Sequence, residues 1–572
     1  MGRNIDEKDK LHLIDFKSKE INIKNFDEEI SDEEKKIHNF KFLKVIQKYL
    51  NLKQSIKELR KKIGSYTFTS DNFFKMILIL LRIKSGLSVI LMGETGCGKT
   101  SLIDTICELC NYKKLHKTIH AGWTDNDIVS FIVRNNLNEE ILNYEENDDE
   151  GFESRSYSEV SKIQDQSIQN QNINYNEEKK FTIVFFDEFN TCNSQGLFTE
   201  IMSKHTVQGK KIKDNVVFIG ACNPYRKKIN EVINTALIKK ESKYSNLIYN
   251  VNPLTYTQLY YVLNFGTLSI EDEKKYIESI ADYELNIIIN DKTILNNIHN
   301  LMVNAFIFSQ QYIREKNGKE SVSLREIKKF LIIYKFILHD FKRKQNLKES
   351  DTEKEDDETK LRIDYNFYHT TQNETMIHKY ALSVGIFICF YIRLNFKERE
   401  YFEIKMKDIL EINFLEYSTI LQKELVNNIS FEKGIAPNNI LKLNLLITFI
   451  GLLTKIAVFL VGPPGCSKTL CLNLLKKSMK GINSRSKFWK LYPQLFITSF
   501  QGSLTSTSKA IKQTFNRAKS TSKKWKEKKG KNKIEKQLID GNDIISLVFI
   551  DEIGLCEFFL LILLKYFILF LN

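Results

Sequence analysis

The sequence predicts an α/β fold, a parallel sheet flanked by helices, and it predicts this fold twice in tandem. Three observations lead to that prediction. An apolar run at 87–92 leads into the glycine-rich stretch GETGCGKT at 93–100, and a helical pattern follows. The apolar run FTIVFF ends in an adjacent pair of acidic residues at 187–188. Both features recur as GPPGCSKT at 462–469 and as VFIDE at 548–552.

The order of elements around the glycine-rich stretches supports their interpretation as phosphate-binding loops. A strand, a glycine-rich loop and a helix N-terminus in succession form the context in which such a loop binds phosphate. The spacing from Lys99 to Asp187 is similar to that from Lys468 to Asp551. Two copies of the same ordered features indicate an internal duplication.

Bulk composition limits the class of protein. A chain of 572 residues predicts about two to four domains, and 42% apolar residues suffice for large cores. The net charge of +14 is interpreted as lysine-rich solvated loops, with a nucleic-acid surface as the less favoured alternative. Nine irregularly spaced cysteines and the lack of a secretory signal favour a reducing, cytoplasmic location and no membrane partner.

Pattern changes along the chain divide it into segments. The acidic, Asn- and Gln-rich residues 138–180 predict a disordered insertion in the first α/β subdomain. The predicted segments are a charged helical N-terminal segment (1–65), a large α/β subdomain (66–255), a helical lid (256–345), a charged linker (346–362), a helical connecting region (363–445), an incomplete second module (446–557) and an apolar tail (558–572).

The first glycine-rich loop has the residues that a triphosphate requires. Its glycines let backbone N–H groups approach the phosphates and adopt positive φ, and the helix that follows adds a partial positive charge. Lys99 reaches the β- and γ-phosphates, and the Thr100 hydroxyl is a Mg²⁺ ligand. The predicted ATP-binding residues are Gly93, Glu94, Thr95, Gly96, Cys97, Gly98, Lys99, Thr100 and Ser101.

Polar residues at strand ends complete the predicted first site. Asp187 and Glu188 follow a buried strand, and Asn223 follows another, NVVFIGAC. Open α/β sheets bind ligands at this carboxyl edge. We expect Asp187 to hold Mg²⁺, Glu188 to activate the attacking water and Asn223 to bridge that water and the γ-phosphate. The alternative is a loop that binds nucleotide without hydrolysing it.

The second loop differs from the first at one glycine position. Ser467 stands where Gly98 stands, and serine tolerates positive φ less well than glycine does. Asp551 is a predicted Mg²⁺ ligand with Thr469, and Glu552 is the predicted catalytic carboxylate. The predicted nucleotide-binding residues are Gly462, Pro463, Pro464, Gly465, Cys466, Ser467, Lys468 and Thr469. No strand ending in Asn follows, which predicts a truncated second module.

Longer stretches resemble mysterin, the giant RING-finger E3 ubiquitin ligase family with a dynein-like row of AAA+ modules. HAGWTDNDI, FDEFNTCNSQGLFTEIMSKHTVQGKKI and VSLREIKKF look like one module of that row. SFQGSLTSTSKAIKQTFNRA and VFIDEIGL look like the next. The resemblance covers roughly 70–345 and 430–556, whereas dynein and midasin share only the generic ATPase pieces.

The resemblance implies an α/β P-loop NTPase fold of the AAA+ type, with a helical lid, in the third and fourth modules of the family's ring. It implies ATP and Mg²⁺ as cofactors, ATPase activity, and neighbouring AAA+ modules as partners. Arg325 in VSLREI matches the lid arginine that senses the γ-phosphate. Arg226 is considered as a contact to a neighbouring nucleotide, against a solvated loop arginine.

Departures from the family leave alternatives open. The chain has no Cys/His spacing of a RING, so ubiquitin transfer would need a longer chain. The apolar tail is short of the roughly 20 residues that span a bilayer, which favours a truncated end over an anchor. The basic run at 523–536 is interpreted as a solvated loop insertion, with a nucleic-acid or partner-binding patch as the alternative. Two alternative functions remain open. One is a structural module that binds nucleotide for stability and does not hydrolyse it, and the other is a dynein- or midasin-like remodeller without ligase activity.

Overall fold

The structure is a computed structural model. It describes residues 40–50, 52–64, 66–139, 181–225, 251–266, 269–318, 321–346, 365–371, 373–463, 465–484, 486–503, 505–506, 508–528 and 543–553. The chain divides into two compact units. Residues 1–232 and 241–267 form the first unit, and residues 233–240 and 268–572 form the second.

The first unit alternates strands and helices, as a doubly wound sheet requires. Its helices are α1 (Phe40–Tyr49), α2 (Ile56–Ile63), α3 (Ser70–Lys84), α4 (Lys99–Cys110), α5 (Asp125–Arg134), α6 (Gln195–Lys204) and the short α7 (Tyr256–Leu259). Its strands are β1 (Val89–Gly93), β2 (Lys113–Thr118), β3 (Thr182–Asp187), β4 (Thr206–Val207), β5 (Lys210–Lys211), β6 (Val216–Cys222) and β7 (Val262–Gly266).

Five of these strands form one parallel sheet in the order β2-β3-β6-β1-β7. Alternate side chains of each strand enter the two cores on its faces, because successive side chains point to opposite sides. Ile183 and Phe185 join the core that contains α3 and α4, whereas Val184 and Phe186 join the one that contains α5 and α6. The predicted parallel sheet flanked by helices is confirmed.

Strand β7 lies where the sequence analysis expected the start of a helical lid at 256–345. Residues 262–266 pair with β1 and add a fifth strand to the sheet. Two cations bind the backbone beside this strand: Lys75 donates to Phe265 O at 2.9 Å and Arg82 to Tyr261 O at 2.7 Å. The strand is short and its first residues are only half-buried, so its apolar pattern is weak.

The second unit is mainly helical. Its helices are α8 (Ile270–Ile288), α9 (Lys292–Asn317), α10 (Arg325–Gln345), α11 (Tyr365–Thr370), α12 (Glu374–Cys389), α13 (Phe396–Leu410), α14 (Phe414–Asn427), α15 (Asn439–Thr454), α16 (Lys468–Ser478), the short α17 (Lys487–Lys490) and α18 (Ser508–Lys528). Its strands, β8 (Gln494–Gln501) and β9 (Ile544–Asp551), form a parallel pair.

Helix α12 lies at the centre of the second unit's core. Its burial is nearly complete from Ile377 to Cys389. By length and composition alone, one helix among the described residues could cross a membrane, Glu374–Arg393, and 78% of its apolar window is buried inside the protein. Packing against α10 and α14 accounts for that apolar character.

Two expectations for the second module are wrong in detail. The apolar stretch before the second loop, residues 456–461, was expected to be a strand, but the structure assigns none there. Its counterpart β1 pairs with β6 and β7, and among the described residues of the second unit no strand corresponds to either. The basic run at 523–536 was expected in a loop, but residues 523–528 continue helix α18.

Several predicted features lie outside the described residues. They are residues 1–39 of the N-terminal segment, residues 140–180 of the insertion, Arg226, most of the linker, Pro464, residues 529–536 of the basic run and the tail at 558–572.

Candidate functional site

The first loop has the backbone conformation that a phosphate cradle requires. Gly96 and Gly98 have φ values of 82° and 89°, a region that glycine enters without steric cost. A Cβ at Gly93 would lie 2.7 Å from Phe265 Cβ, so only glycine fits there. Helix α4 begins at Lys99, directly after the loop, and its N-terminal N–H groups favour an anion.

Each loop holds its lysine in the same way. Lys99 Nζ donates to Gly93 O at 2.6 Å and to Glu94 O at 2.9 Å, and lies 3.8 Å from Cys97 Sγ. The ammonium group is therefore kept over the loop's own carbonyl groups.

The second lysine repeats these contacts position by position. Lys468 Nζ donates to Gly462 O at 2.7 Å and to Pro463 O at 2.9 Å, and lies 3.6 Å from Cys466 Sγ. The φ of Gly465 is 83°, within one degree of its counterpart Gly96. The duplication seen in the sequence is thus a duplication of geometry.

The sheet order brings the first site's predicted residues to one edge. Strand β6 lies between β1 and β3, so Asn223, just beyond its end, stands between the loop and the acidic pair. Parallel strands lie about 4.8 Å apart, which places the loop and the pair about 10 Å from each other across the edge. That width accommodates a terminal phosphate and a water molecule.

The acidic pair has the same backbone conformation in both modules. Asp187 and Asp551 end their strands, and the next residues, Glu188 and Glu552, have φ values of 54° and 50°. A positive φ in a non-glycine residue costs of order 1–3 kcal/mol and is common at functional sites. The turn ends each strand abruptly and redirects the glutamate.

Neighbouring groups define the electrostatics of the first site. Burial raises the pKa of Cys222, at the end of β6, to about 12, and the nearby charge of Lys99 acts in the opposite direction. Burial likewise lowers the pKa of Lys114 on β2, and the charge of Asp187 opposes that shift. The charge of Lys99 thus acts on the end of β6, and the charge of Asp187 acts on the neighbouring strand β2.

The second site brings a hydroxyl and a carboxylate together. Thr469 Oγ1 donates to Asp551 Oδ2 at 3.3 Å. A hydroxyl and a carboxylate beside open solvent suit Mg²⁺, which prefers oxygen ligands and keeps several waters. No group of three or more His, Cys, Asp or Glu side chains in the described parts of the chain is placed to hold a metal ion.

Sequence reasoning missed three residues around the acidic pairs. His116 on β2 has Nε2 3.9 Å from Asp187 Oδ2. Gln501, the last residue of β8, donates from Nε2 to Glu552 Oε2 at 3.0 Å. Asn190 donates to Asn223 O at 3.0 Å and so supports the end of β6. Gln501 ends its strand as Asp551 does, which is the signal that could have identified it; His116 lies inside β2 and has no such signal.

Arg325, the predicted lid arginine, is the first residue of α10 and is exposed. It belongs to the second unit, and its sensing role stays a prediction. The roles assigned to the loop residues, the acidic pairs and Asn223 also stay predictions.

Exchanging the residues at the two helix N-caps should change stability in opposite directions. Gly98 has φ 89° and Ser467 has φ 62°. A Cβ at Gly98 would meet no atom within 4 Å, so the cost of Gly98→Ser is conformational, about 1 kcal/mol. We expect Ser467→Gly to stabilise by about the same amount. Thermal unfolding measures both, with Gly196→Ser, at an open position of ordinary φ, as the control. Equal effects of the two cap exchanges would contradict the assigned backbone strain.

The sheet, its flanking helices and the loop at its carboxyl edge define the nucleotide-binding AAA+ class of α/β fold. Residues 66–146 match one RNF213 AAA domain family, and residues 434–571 match another. These two stretches of the chain are therefore similar to AAA domains of the RNF213 type. This finding confirms both the AAA+ fold and the resemblance to the mysterin type of ligase.

Full-length relatives agree with the domain matches. The chain is 26% identical over 528 residues to the E3 ubiquitin-protein ligase RNF213 of Homo sapiens, covering 86% of this chain and 9% of that protein. It is 26% identical over 531 residues to rnf213-beta of Danio rerio, with the same coverage. The chain thus spans about a tenth of the length of these relatives.

Among solved structures, the Thermotoga maritima RuvB Holliday junction branch migration motor is 11% identical and has a TM-score of 0.25, covering 48% of this chain and 64% of that one.

Proposed function

We propose that this chain is an ATP-driven motor core in which both modules bind ATP with Mg²⁺ and the first hydrolyses it. The observation that carries the proposal is the repeated geometry of the two sites. In each, a loop lysine is held by the same two carbonyl groups, and an acidic pair ends a neighbouring strand with a left-handed glutamate.

Different residues of the first module have different roles in phosphoryl transfer. The loop N–H groups and Lys99 bind the β- and γ-phosphates, and Lys99 exchanges its carbonyl contacts for phosphate oxygens. Glu188 orients the attacking water and accepts its proton. Asn223 places that water in line with the γ-phosphate. Magnesium, held by Thr100 and Asp187 here and by Thr469 and Asp551 in the second module, would neutralise phosphate charge.

The second module is proposed to bind ATP more readily than it hydrolyses it. Glu552, the counterpart of Glu188, accepts a hydrogen bond from Gln501. The strained Ser467 replaces the relaxed glycine of the first loop. We assign ATP in this module a mainly structural and regulatory role.

The wider setting is proposed from the relatives. Their name, E3 ubiquitin-protein ligase, suggests that the motor serves ubiquitin machinery carried by a longer chain in the cytoplasm. Arg325 would sense the γ-phosphate, and neighbouring AAA+ modules would respond to the cycle. The matches to RNF213 domains favour this setting over a dynein- or midasin-like remodeller.

Replacing each loop lysine separately tests nucleotide binding. Lys99→Met and Lys468→Met each remove the cation that pairs with the phosphates, so each variant should bind one ATP where the parent binds two. Isothermal titration with ATP and Mg²⁺ measures the stoichiometry. Lys99→Met should also abolish most ATP turnover. Lys113→Met, at the exposed start of β2, is the matched control. Two bound nucleotides in either loop variant would refute the assigned site.

A further inference from the structure

Asn223 lies beyond the last paired residues of β6. Cys222 is the last residue of β6 that pairs with β1, and Gly220 is the last that pairs with β3. Asn223 is nonetheless buried. Pro224 follows it and restricts its backbone to extended conformations, but the strand pairing does not hold its carbonyl group. Contacts from outside the sheet therefore decide where the Asn223 amide lies.

Asn190 provides such a contact. It is buried, and its Nδ2 donates to Asn223 O at 3.0 Å and to Asn252 O at 3.4 Å. Both N–H groups of the side-chain amide are thus used, each on a carbonyl group of a different segment. Asn252 N donates back to Asn190 O at 2.8 Å. The amide therefore joins the end of β6 to the segment that precedes α7.

The turn after the acidic pair, Phe189–Thr191, is itself attached to two strands. The Phe189 ring lies so close to β6 that a Cβ at Gly220 would be 2.8 Å from it. Thr191 Oγ1 donates to Ile119 O, just after β2, at 3.1 Å. The side-chain amide is therefore carried by a turn of fixed position, two residues from the proposed base.

We propose that Asn190 is a positioning residue for ATP hydrolysis in the first module. Its amide holds Asn223 at a set distance from Glu188, so that the side chain of Asn223 meets the water that Glu188 activates. Asn190 acts through Asn223 and not on the water itself. This inference rests on the proposed function, because it assigns a role within that hydrolysis.

Stability alone does not account for this side chain. The Oδ1 atom of Asn190 is buried and has no hydrogen-bond partner among the described residues. A buried acceptor without a partner is costly, and that cost offsets much of what the two Nδ2 hydrogen bonds contribute. An apolar side chain of similar size would avoid the cost, but it could not hold two carbonyl groups.

The second module differs at this position. Counted from the acidic pair, Gly554 stands in the sequence where Asn190 stands. Glycine has no side chain that could hold the end of a neighbouring strand. This difference agrees with the proposal that the second module binds ATP more readily than it hydrolyses it.

Turnover and affinity together separate positioning from binding. In a Lys468→Met background, Asn190→Ala should lower kcat about 10- to 100-fold. The Kd for ATP should stay unchanged, because the loop and Lys99 are not altered. Asn135→Ala is the matched control and should keep the parent kcat. It also removes a hydrogen bond from a side-chain amide to a backbone carbonyl, Asn135 Nδ2 to Phe131 O at 2.7 Å, but in the last turn of α5.

A second variant covers a loss of folding. If Asn190→Ala loses its ATP affinity, Asn190→Asp repeats the measurement with the same expected loss of kcat. Aspartate keeps the volume of the side chain and lacks only the N–H donors. Loss of ATP affinity in both variants would contradict a role in positioning alone.

A double-mutant cycle tests whether Asn190 acts through Asn223. Asn223→Ala should lower kcat at least as much as Asn190→Ala does. The double variant should turn over within about twofold of Asn223→Ala, because no amide then remains to be positioned. Effects that multiply would overturn the inference, and so would parent-rate turnover by Asn190→Ala; hydrolysis by the first module would still stand. A parent chain without turnover would instead overturn the proposed function, and the inference with it.

Discussion

Glu188→Gln is expected to lower ATP turnover by the first module about 100- to 10,000-fold while leaving ATP binding intact, because glutamine keeps the size but cannot accept the proton of the attacking water. The phosphate contacts belong to the loop and Lys99, which the substitution does not touch. Turnover is best measured in a Lys468→Met background, so that only the first module contributes. Fluorescent-nucleotide titration measures binding in the same preparations.

Glu108→Gln provides the matched control for Glu188→Gln. Glu108 is an exposed carboxylate on α4, the helix that follows the loop. The Glu108→Gln variant should turn over ATP at the parent rate. If Glu188→Gln hydrolyses ATP as fast as the parent, Glu188 is not the base, and the first module would then be the binding-only module considered above.

Local features of the fold could be predicted from the sequence. The loop and the strand before it are specified by contiguous residues, because glycine spacing and an unbroken apolar run leave few other structures. β3 and β6 are buried on both faces, so both read as continuous apolar segments. This is why the edge that gathers Lys99, Asp187 and Asn223 could be predicted before the structure.

Features set by sheet order could not be predicted in this way. The contact between Gln501 and Glu552 depends on β8 lying beside β9. The whole of α18 separates these two residues along the chain. The absence of a strand at 456–461 has the same cause, since an apolar run becomes a strand only when neighbouring strands accept its backbone hydrogen bonds. Long-range pairing, which no local pattern encodes, decided both outcomes.

The burial of one lysine could not be predicted from the sequence either. Lys344 lies in the run FKRKQNLKE, which reads as a solvated helix end. In the structure its side chain has no exposed area. A helical periodicity places Phe341 and Lys344 on the same buried face, but a lysine is placed on that face only if acidic residues from other helices meet it.

Lys344 is the centre of a buried charge cluster in the second unit. Its Nζ lies 3.0 Å from Asp340 Oδ2 and 2.7 Å from Glu424 Oε2, and it donates to Tyr368 OH at 3.3 Å. Tyr492 OH donates to Asp340 Oδ1 at 3.0 Å. The cluster thereby joins α10, α11 and α14 to Tyr492, which lies just before β8.

A second cation ties the cluster to the second module. Arg343 pairs with Asp340 at 2.8 Å and donates from Nη1 to Leu491 O at 2.8 Å. Two acidic and two basic side chains therefore balance in the interior. Buried ion pairs contribute little net stability against apolar replacements, but removing one partner leaves a charge without compensation.

Lys344→Met is expected to destabilise the second unit by about 3–5 kcal/mol, because it leaves Asp340 and Glu424 as like charges in the core. Urea unfolding measures the loss. Lys342→Met, two residues earlier on the exposed face of α10, is the matched control and should change stability by less than about 0.5 kcal/mol. The double variant Lys344→Met, Glu424→Gln removes one of the stranded charges and should recover part of the loss. A Lys344→Met protein as stable as the parent would show that the cluster is not a paired charge network.

The pH dependence of unfolding gives an independent check on the cluster. Burial alone would raise the pKa of Asp340, but the charges of Lys344 and Arg343 outweigh it and hold the pKa below its usual range. Stability from Asp340 is therefore complete above its unfolded pKa of about 3.9 and lost as pH falls through the lower folded value. Burial would lower the pKa of Lys344, yet Asp340 and Glu424 raise it well above its usual value, so its contribution is complete below about pH 10.4 and lost as pH rises through the folded pKa. Without Lys344, the acid limb of the stability curve should move to higher pH, because Asp340 then loses one of the two cations that lower its pKa. An unchanged acid limb in Lys344→Met would mean that Asp340 is held ionised by Arg343 alone.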